Sequence, residues 1–287
     1  MRAPTGVYTA FLLLTSCAPT SSHWALSWSD EFTGTTINAT LWNVLNNTAE
    51  GRPPSWNQIE LYTADNVFLD AGALVLRTRP DNITFDSIHY NVTSGRVDTS
   101  FKANITYGRV EVSAQLQNDA ASGIHTAHWL LGYGCWPNFE EEGGEIDIME
   151  CQSPHNVYAT PASSASWQVA TSNYHIGDRC SNETRHTTGT SEYPRAPIPG
   201  LNFSSSYNTF AVEWNATDLV YFVNEERVNH VWEGMPGWSA PFRIPNFPMF
   251  LILSQAYMAH RPLGNPPAWA WPVEQRIDYV RVYTWVP

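Results

Sequence analysis

Charge is scarce in this 287-residue chain. Asp, Glu, Lys and Arg make up only 15% of it, and 15 Lys+Arg against 27 Asp+Glu leave a net charge of -12. An acidic chain this short of cations lacks what a nucleic-acid or anionic-membrane surface would need. Long apolar runs are missing as well, since the stretch from Val7 to Leu14 is too short to cross a bilayer. Apolar residues spaced by three and four never persist beyond two turns, which excludes a helical bundle. No repeat, heptad or composition break sets off a second domain, and one large all-β domain accommodates this length. Cysteine is sparse, with only Cys17, Cys135, Cys151 and Cys180.

Aromatic residues, by contrast, are abundant: they form 13% of the chain, with 13 Trp. That is more indole than a core easily hides, because a buried indole N–H needs a partner, and with so little charge it suits a neutral partner. Short stretches rich in Val, Ile, Tyr and Phe alternate along the sequence, separated by turn residues such as Asp70-Ala71-Gly72 and Pro236-Gly237. Predicted strands include 73–77, 95–101, 108–116, 127–131, 145–151, 209–215, 219–223, 249–255 and 277–285, a spacing that predicts a β-sandwich. Between Gln152 and Ser206 the pattern lapses into Ser, Thr, Pro, Gly and Asn, which reads as a long functional loop region. Residues 262–272 read as another irregular segment.

Residues 1–22, with Arg2, the apolar run and a small polar stretch, have the layout of a secretory signal, leaving 23–287 as the mature domain. Leu14-Thr15-Ser16-Cys17 also fits a lipoprotein cleavage box. N-glycosylation acceptors at Asn38, Asn46, Asn82, Asn91, Asn104, Asn182, Asn202 and Asn215 point instead to a eukaryotic secretory route. A secreted, extracellular or wall-associated monomer, held by no membrane once the signal is gone, is the expectation. Of the three remaining cysteines, Cys151 with Cys180 is the expected disulfide and Cys135 with Cys180 the alternative.

The sharpest motif is Gly143-Gly144-Glu145-Ile146-Asp147-Ile148-Met149-Glu150. On a regular strand Glu145 and Asp147 share a face and Glu150 points to the other. A β-bulge at Ile148-Met149 would bring Glu150 back beside them. A retaining glycosidase needs two carboxyl groups about 5–5.5 Å apart, and a third negative charge raises a neighbour's pKa and helps hold the pair in opposite protonation states. Spacing alone does not decide the matter, since Glu-x-Asp-x-x-Glu should arise by chance in roughly one chain in twenty of this length.

The flanking residues add a resemblance. The eight-residue motif resembles the active-site signature of glycoside hydrolase family 16, in its bulged, laminarinase-like branch. Six further blocks follow the family's order: Trp28–Phe32; Glu60–Thr63 with Asn66-Val67; Ser94–Arg96 with Tyr107–Glu111; Trp129–Gly132; Ala211–Trp214; and Ile277–Tyr283. The resemblance implies a β-jelly-roll of two curved antiparallel sheets with a concave glycan-binding cleft. It implies Glu145 as nucleophile, Glu150 as general acid/base and Asp147 between them, with Trp129 and Trp136 stacking on sugar rings and Arg96, Asn57 and His175 bonding the substrate. It implies no cofactor for catalysis, and a structural calcium near Glu31, Gly72 and Asp278, whose hard oxygen ligands would suit that ion. The implied partner is a β-glucan polysaccharide and the implied activity an endo-1,3(4)-β-glucanase, with a wall transglycosylase or a non-catalytic glucan-recognition protein as alternatives. Departures at Trp136–Glu142, Asn208 and Ser254–Met258 lie where relatives differ in substrate contacts.

Overall fold

The computed structural model describes residues 22–48, 59–118, 123–133, 144–152, 169–176, 186–193, 198–235, 244–258 and 270–287. Eighteen strands and one 3-10 turn make up the described structure. The first nine strands are β1 (His23–Asp30), β2 (Asn43–Val44), β3 (Leu61–Tyr62), β4 (Val67–Asp70), β5 (Ala73–Phe85), β6 (Ile88–Ser94), β7 (Arg96–Asp98), β8 (Asn104–Ile105) and β9 (Gly108–Gln115). The others are β10 (Ile124–Gly132), β11 (Gly144–Gln152), β12 (Ala170–Ile176), β13 (His186–Tyr193), β14 (Asn208–Trp214), β15 (Asp218–Val223), β16 (Glu226–Trp232), β17 (Met249–Tyr257) and β18 (Val273–Val286).

They form two sheets. One runs β16-β15-β14-β9-β18-β5-β6-β3, with β1 also paired to β18 and β4 to β5. The other runs β13-β12-β11-β10-β17-β7-β2, with β8 also on β17. Pairing is antiparallel except between β3 and β6. This is the all-β, two-sheet jelly-roll that the sequence leads one to expect. β18 is the central member of the first sheet: it pairs with β5 through Val273–Ile277, with β9 from Arg276 to Tyr283, and with β1 from Val280 to Val286.

Alternation places the core between the sheets. Leu74, Leu76, Val110, Val112, Phe210, Val212, Ile277 and Val280 from the first sheet meet Leu130, Ile146, Ile148, Met149, Leu251 and Leu253 from the second. Truncating any one of the larger members to Ala should cost about 2–5 kcal/mol. Large indoles buried here find acceptors: Trp42 Nε1 donates to Asp30 Oδ2 at 3.0 Å and Trp214 Nε1 to the Pro245 carbonyl at 2.9 Å. His128 is fully buried on the core face of β10, its Nε2 at 3.0 Å from Gln275 Oε1 of the opposite sheet.

The region 152–206 departs from the expected loop, because it contains β12 and β13. In β12 only Ala170 and Tyr174 join the core. The intervening Thr171, Asn173 and His175 are polar because they face the cleft, opposite Glu150, Asp147 and Glu145. That polar face erased the hydrophobic signal by which a strand is usually recognised.

Candidate active site

The acidic strand β11 carries the expected bulge. Against β10, His128 pairs with Met149 and the next residue, Trp129, pairs with Asp147, so Ile148 has no opposite number. Against β12 the register shifts at the same place, between Asp147 and Glu150. Ile148 and Met149 are both buried in the core. With two consecutive residues turned inward, Glu150 emerges on the outer face beside Glu145 and Asp147.

The floor around these acids is built by neighbouring strands. Leu131, Trp129 and Ala127 of β10 stand opposite Glu145, Asp147 and Glu150. On the far side of β10 they pair with Phe250, Ile252 and Ser254 of β17. Ala127, Trp129 and Ile252, with Leu131 and Phe250 packed against them, form a separate apolar cluster on this face of the sheet. Trp129 Nε1 donates to Ser254 Oγ at 3.2 Å, which fixes the indole, and the Arg96 guanidinium lies 5.4 Å from the Trp129 ring and 5.9 Å from Tyr62. Arg96 reaches this position because Gly95 lets the chain pass close to Asn66: a Cβ at 95 would sit 2.5 Å from the Asn66 carbonyl oxygen.

Each acid has a distinct environment. Asp147 is 2% exposed, and His175 Nε2 lies 2.9 Å from its Oδ2. Burial foremost, and then the charges of Glu150 and Glu145, push the Asp147 carboxyl up to about 7 against the opposing hydrogen bond and charge of His175. For Glu150, burial also works upward, but it is outweighed by the hydrogen bond and charge of His125, the charge of His175 and the amide of Asn173, which hold its pKa below the ordinary range. His125 Nε2 sits 2.9 Å from Glu150 Oε1, and Asn173 Nδ2 donates to Oε2. Glu145, 9% exposed, stands in register with His175. Asp147 and Glu150 on one face are therefore pushed in opposite directions, which is the condition for giving neighbouring carboxyls different roles.

The structure brings Glu145, Asp147, Glu150, Trp129, Arg96 and His175 onto one face. Trp136 and Asn57 lie outside the described residues, as does Cys180, the expected partner of the buried Cys151. His175, expected to bond the substrate, lies on this face with its Nε2 2.9 Å from Asp147 Oδ2. Two residues at the site were missed by sequence reasoning, His125 and Asn173. The local trace they leave is spacing alone, His125 four residues before Trp129 on β10 and Asn173 two before His175 on β12.

Glu145, Asp147 and His175 offer donor atoms within 4.8 Å of one another, the described group best able to hold a divalent ion. Of the residues expected to bind calcium, Glu31 follows β1, Gly72 joins β4 to β5 and Asp278 lies on β18. Both oxygens of Glu31 accept from Arg281, at 3.0 and 2.8 Å, and this bond foremost holds the Glu31 pKa down. Asp278 accepts from Ser113 Oγ at 3.4 Å, and Gly72 occupies a positive-φ turn.

Comparison with known proteins agrees with this architecture. The chain is 28% identical over 283 residues to the glucan endo-1,3-beta-glucosidase A1 of Niallia circulans, a match that covers 90% of this chain but only 37% of that longer protein. It is 28% identical over 308 residues to a beta-glucanase of Rhodothermus marinus, covering 97% of this chain and 94% of the relative. The crystal structure of the laminarinase catalytic domain from Thermotoga maritima superposes with a TM-score of 0.70 at 28% identity, over 91% of this chain and 98% of that one. The family model for glycosyl hydrolases family 16 matches residues 55–281, a span that holds the bulged acidic strand and the strands flanking it, and the chain belongs to that family.

Proposed function

We propose that the protein is an endo-acting β-1,3-glucan hydrolase that retains configuration at the anomeric carbon. The bulge carries this reading, because it alone places Glu150 on the face of Glu145. In the first step the Glu145 carboxylate bonds to the anomeric carbon while Glu150 gives its proton to the departing glycosidic oxygen. In the second, Glu150 takes a proton from water, whose oxygen replaces Glu145 at that carbon. Asp147, protonated to about pH 7, adds no third negative charge beside the nucleophile. Trp129, fixed by Ser254, offers an aromatic face to a glucose ring. Relatives named as glucan endo-1,3-beta-glucosidase and laminarinase support a β-1,3-linked glucan as substrate.

Export to the cell exterior belongs to the same reading. Of the eight acceptor asparagines, Asn38, Asn46, Asn82, Asn91, Asn104, Asn202 and Asn215 are described, and all seven are exposed.

Glu145→Ala is expected to abolish release of reducing ends from laminarin while oligosaccharide affinity, read by calorimetry, stays within a few-fold. Undiminished turnover would exclude Glu145 as the nucleophile. Tight binding by the unaltered protein with no new reducing ends would make it a glucan receptor instead.

A further inference from the structure

Between β7 and β8 the chain makes a tight turn. Lys102 N and Ala103 N both donate to the Thr99 carbonyl at 3.0 Å, and Thr99 Oγ1 donates to the Ala103 carbonyl at 2.7 Å. Lys102 Nζ ties the turn down through the carbonyls of Ala39 and Trp42, at 2.8 and 2.7 Å. At its tip Phe101 has φ of 57° and is 88% exposed. A bulky residue seldom adopts this left-handed conformation, and a fully displayed phenyl ring gains nothing from burial.

Its neighbours suggest what the ring is for. Phe101 lies 4.8 Å from Tyr133, which lies 5.0 Å from Phe250 on the floor of the cleft, so the three rings form one continuous aromatic shelf. The Tyr133 hydroxyl accepts from Phe101 N at 2.7 Å and donates to Asn104 Oδ1 at 2.5 Å. Asn104 is exposed, and Asn104-Ile105-Thr106 is an acceptor for N-glycosylation. With Oδ1 held by Tyr133, the amide nitrogen Nδ2 is the atom left to the outside, three residues after an exposed ring.

We propose that Asn104 carries an N-linked glycan whose first N-acetylglucosamine lies on the ring of Phe101, using the aromatic shelf as its platform. The sugar comes from a lipid-linked oligosaccharide. Nδ2 forms the bond to its anomeric carbon and loses one proton, and the lipid diphosphate departs. Oδ1 takes no part, so the Tyr133 hydrogen bond survives the modification. The apolar face of the sugar then covers the Phe101 ring, an aromatic contact that the bare protein leaves unmade. Asn104 is in register with Phe250, Phe250 with Leu131, and Leu131 with Glu145. Three strand spacings put the glycan about 14 Å across the sheet from the nucleophile, at the margin of the cleft.

This inference rests on export through a eukaryotic secretory route. The test is peptide mapping of the full chain secreted from a eukaryotic host, with thermal melts of Phe101→Ala, Asn104→Gln and the double variant. Asn104 is expected to be occupied. Phe101→Ala should lower Tm by about 2 °C or more in the glycosylated protein, and hardly at all in the Asn104→Gln background, with Phe101→Tyr restoring the loss. Asn104 found bare while other acceptors are occupied overturns this proposal alone, and a chain bare at every acceptor overturns export with it. Equal Tm losses in both backgrounds also overturn it. A raised KM for laminarin in unglycosylated Phe101→Ala would assign the shelf to substrate instead.

Discussion

At the scale of single residues, the division of labour among the acids depends on who touches them. Glu150 is clamped by His125 and Asn173, and His125 Nδ1 is buried without a hydrogen-bond partner among the described residues. A neutral His125 therefore does best with its proton on Nε2, facing the carboxylate, since a buried N–H at Nδ1 would go unsatisfied. This favours the ionised form of Glu150, whereas general-acid duty needs the protonated form. The free enzyme should accordingly be most active on the acid side of neutrality, where Glu150 gains its proton more readily. Replacing His125 by Leu removes the donor, so the Glu150 pKa should rise. The alkaline limb of kcat/KM on laminarin should then move to higher pH, and His125→Gln, which restores an N–H, should move it back. A limb that stays in place in His125→Leu would remove His125 from the acid/base machinery.

At the scale of elements, the bulge is the decisive device. Ile148 and Met149 both point into the core, and that irregularity sets the direction of every later side chain on β11. Deleting Ile148 should give a regular Glu-x-Asp-x-Glu strand with Met149 inward and Glu150 still on the cleft face, so kcat should fall by less than the roughly 10²–10⁴-fold that losing the general acid in Glu150→Gln costs. A deletion variant that melts cooperatively yet loses as much kcat as Glu150→Gln would contradict this geometry. The bulge was legible in the sequence because Glu-x-Asp-x-x-Glu makes chemical sense on one face only if a residue is inserted. β12 was not, since Thr171, Asn173 and His175 owe their burial to the cleft, and no local pattern announces a cleft. The clamp on Glu150 was hidden for the same reason: His125 and Asn173 are brought to it by pairing between strands remote in sequence.

At the scale of the whole molecule, two buried groups pull acid stability in opposite directions. His128 is held neutral to about pH 4 because burial disfavours the imidazolium, although its bond to Gln275 acts the other way. The unfolded chain takes up that proton near pH 6.5 and the folded one does not, so stability is lost as pH falls from 6.5 to about 4, by an amount on the order of 3 kcal/mol. Asp147 does the reverse. Its folded pKa near 7 lies above the unfolded value, so its burial costs stability above pH 7, and that cost is relieved as pH falls toward 4. Urea titrations should therefore show His128→Gln losing less stability than the unaltered protein between pH 6.5 and 4, and Asp147→Asn losing more. Parallel curves for all three would mean that neither group is linked to folding. The place of β18 bears on how the molecule comes into being. It joins β9 on one side to β5 on the other, yet it is made after every strand it joins. While the ribosome still holds residues 273–286, the two halves of the larger sheet have no seam between them, and their facing edges stand open to other chains. The larger sheet therefore closes only once its last long strand has emerged.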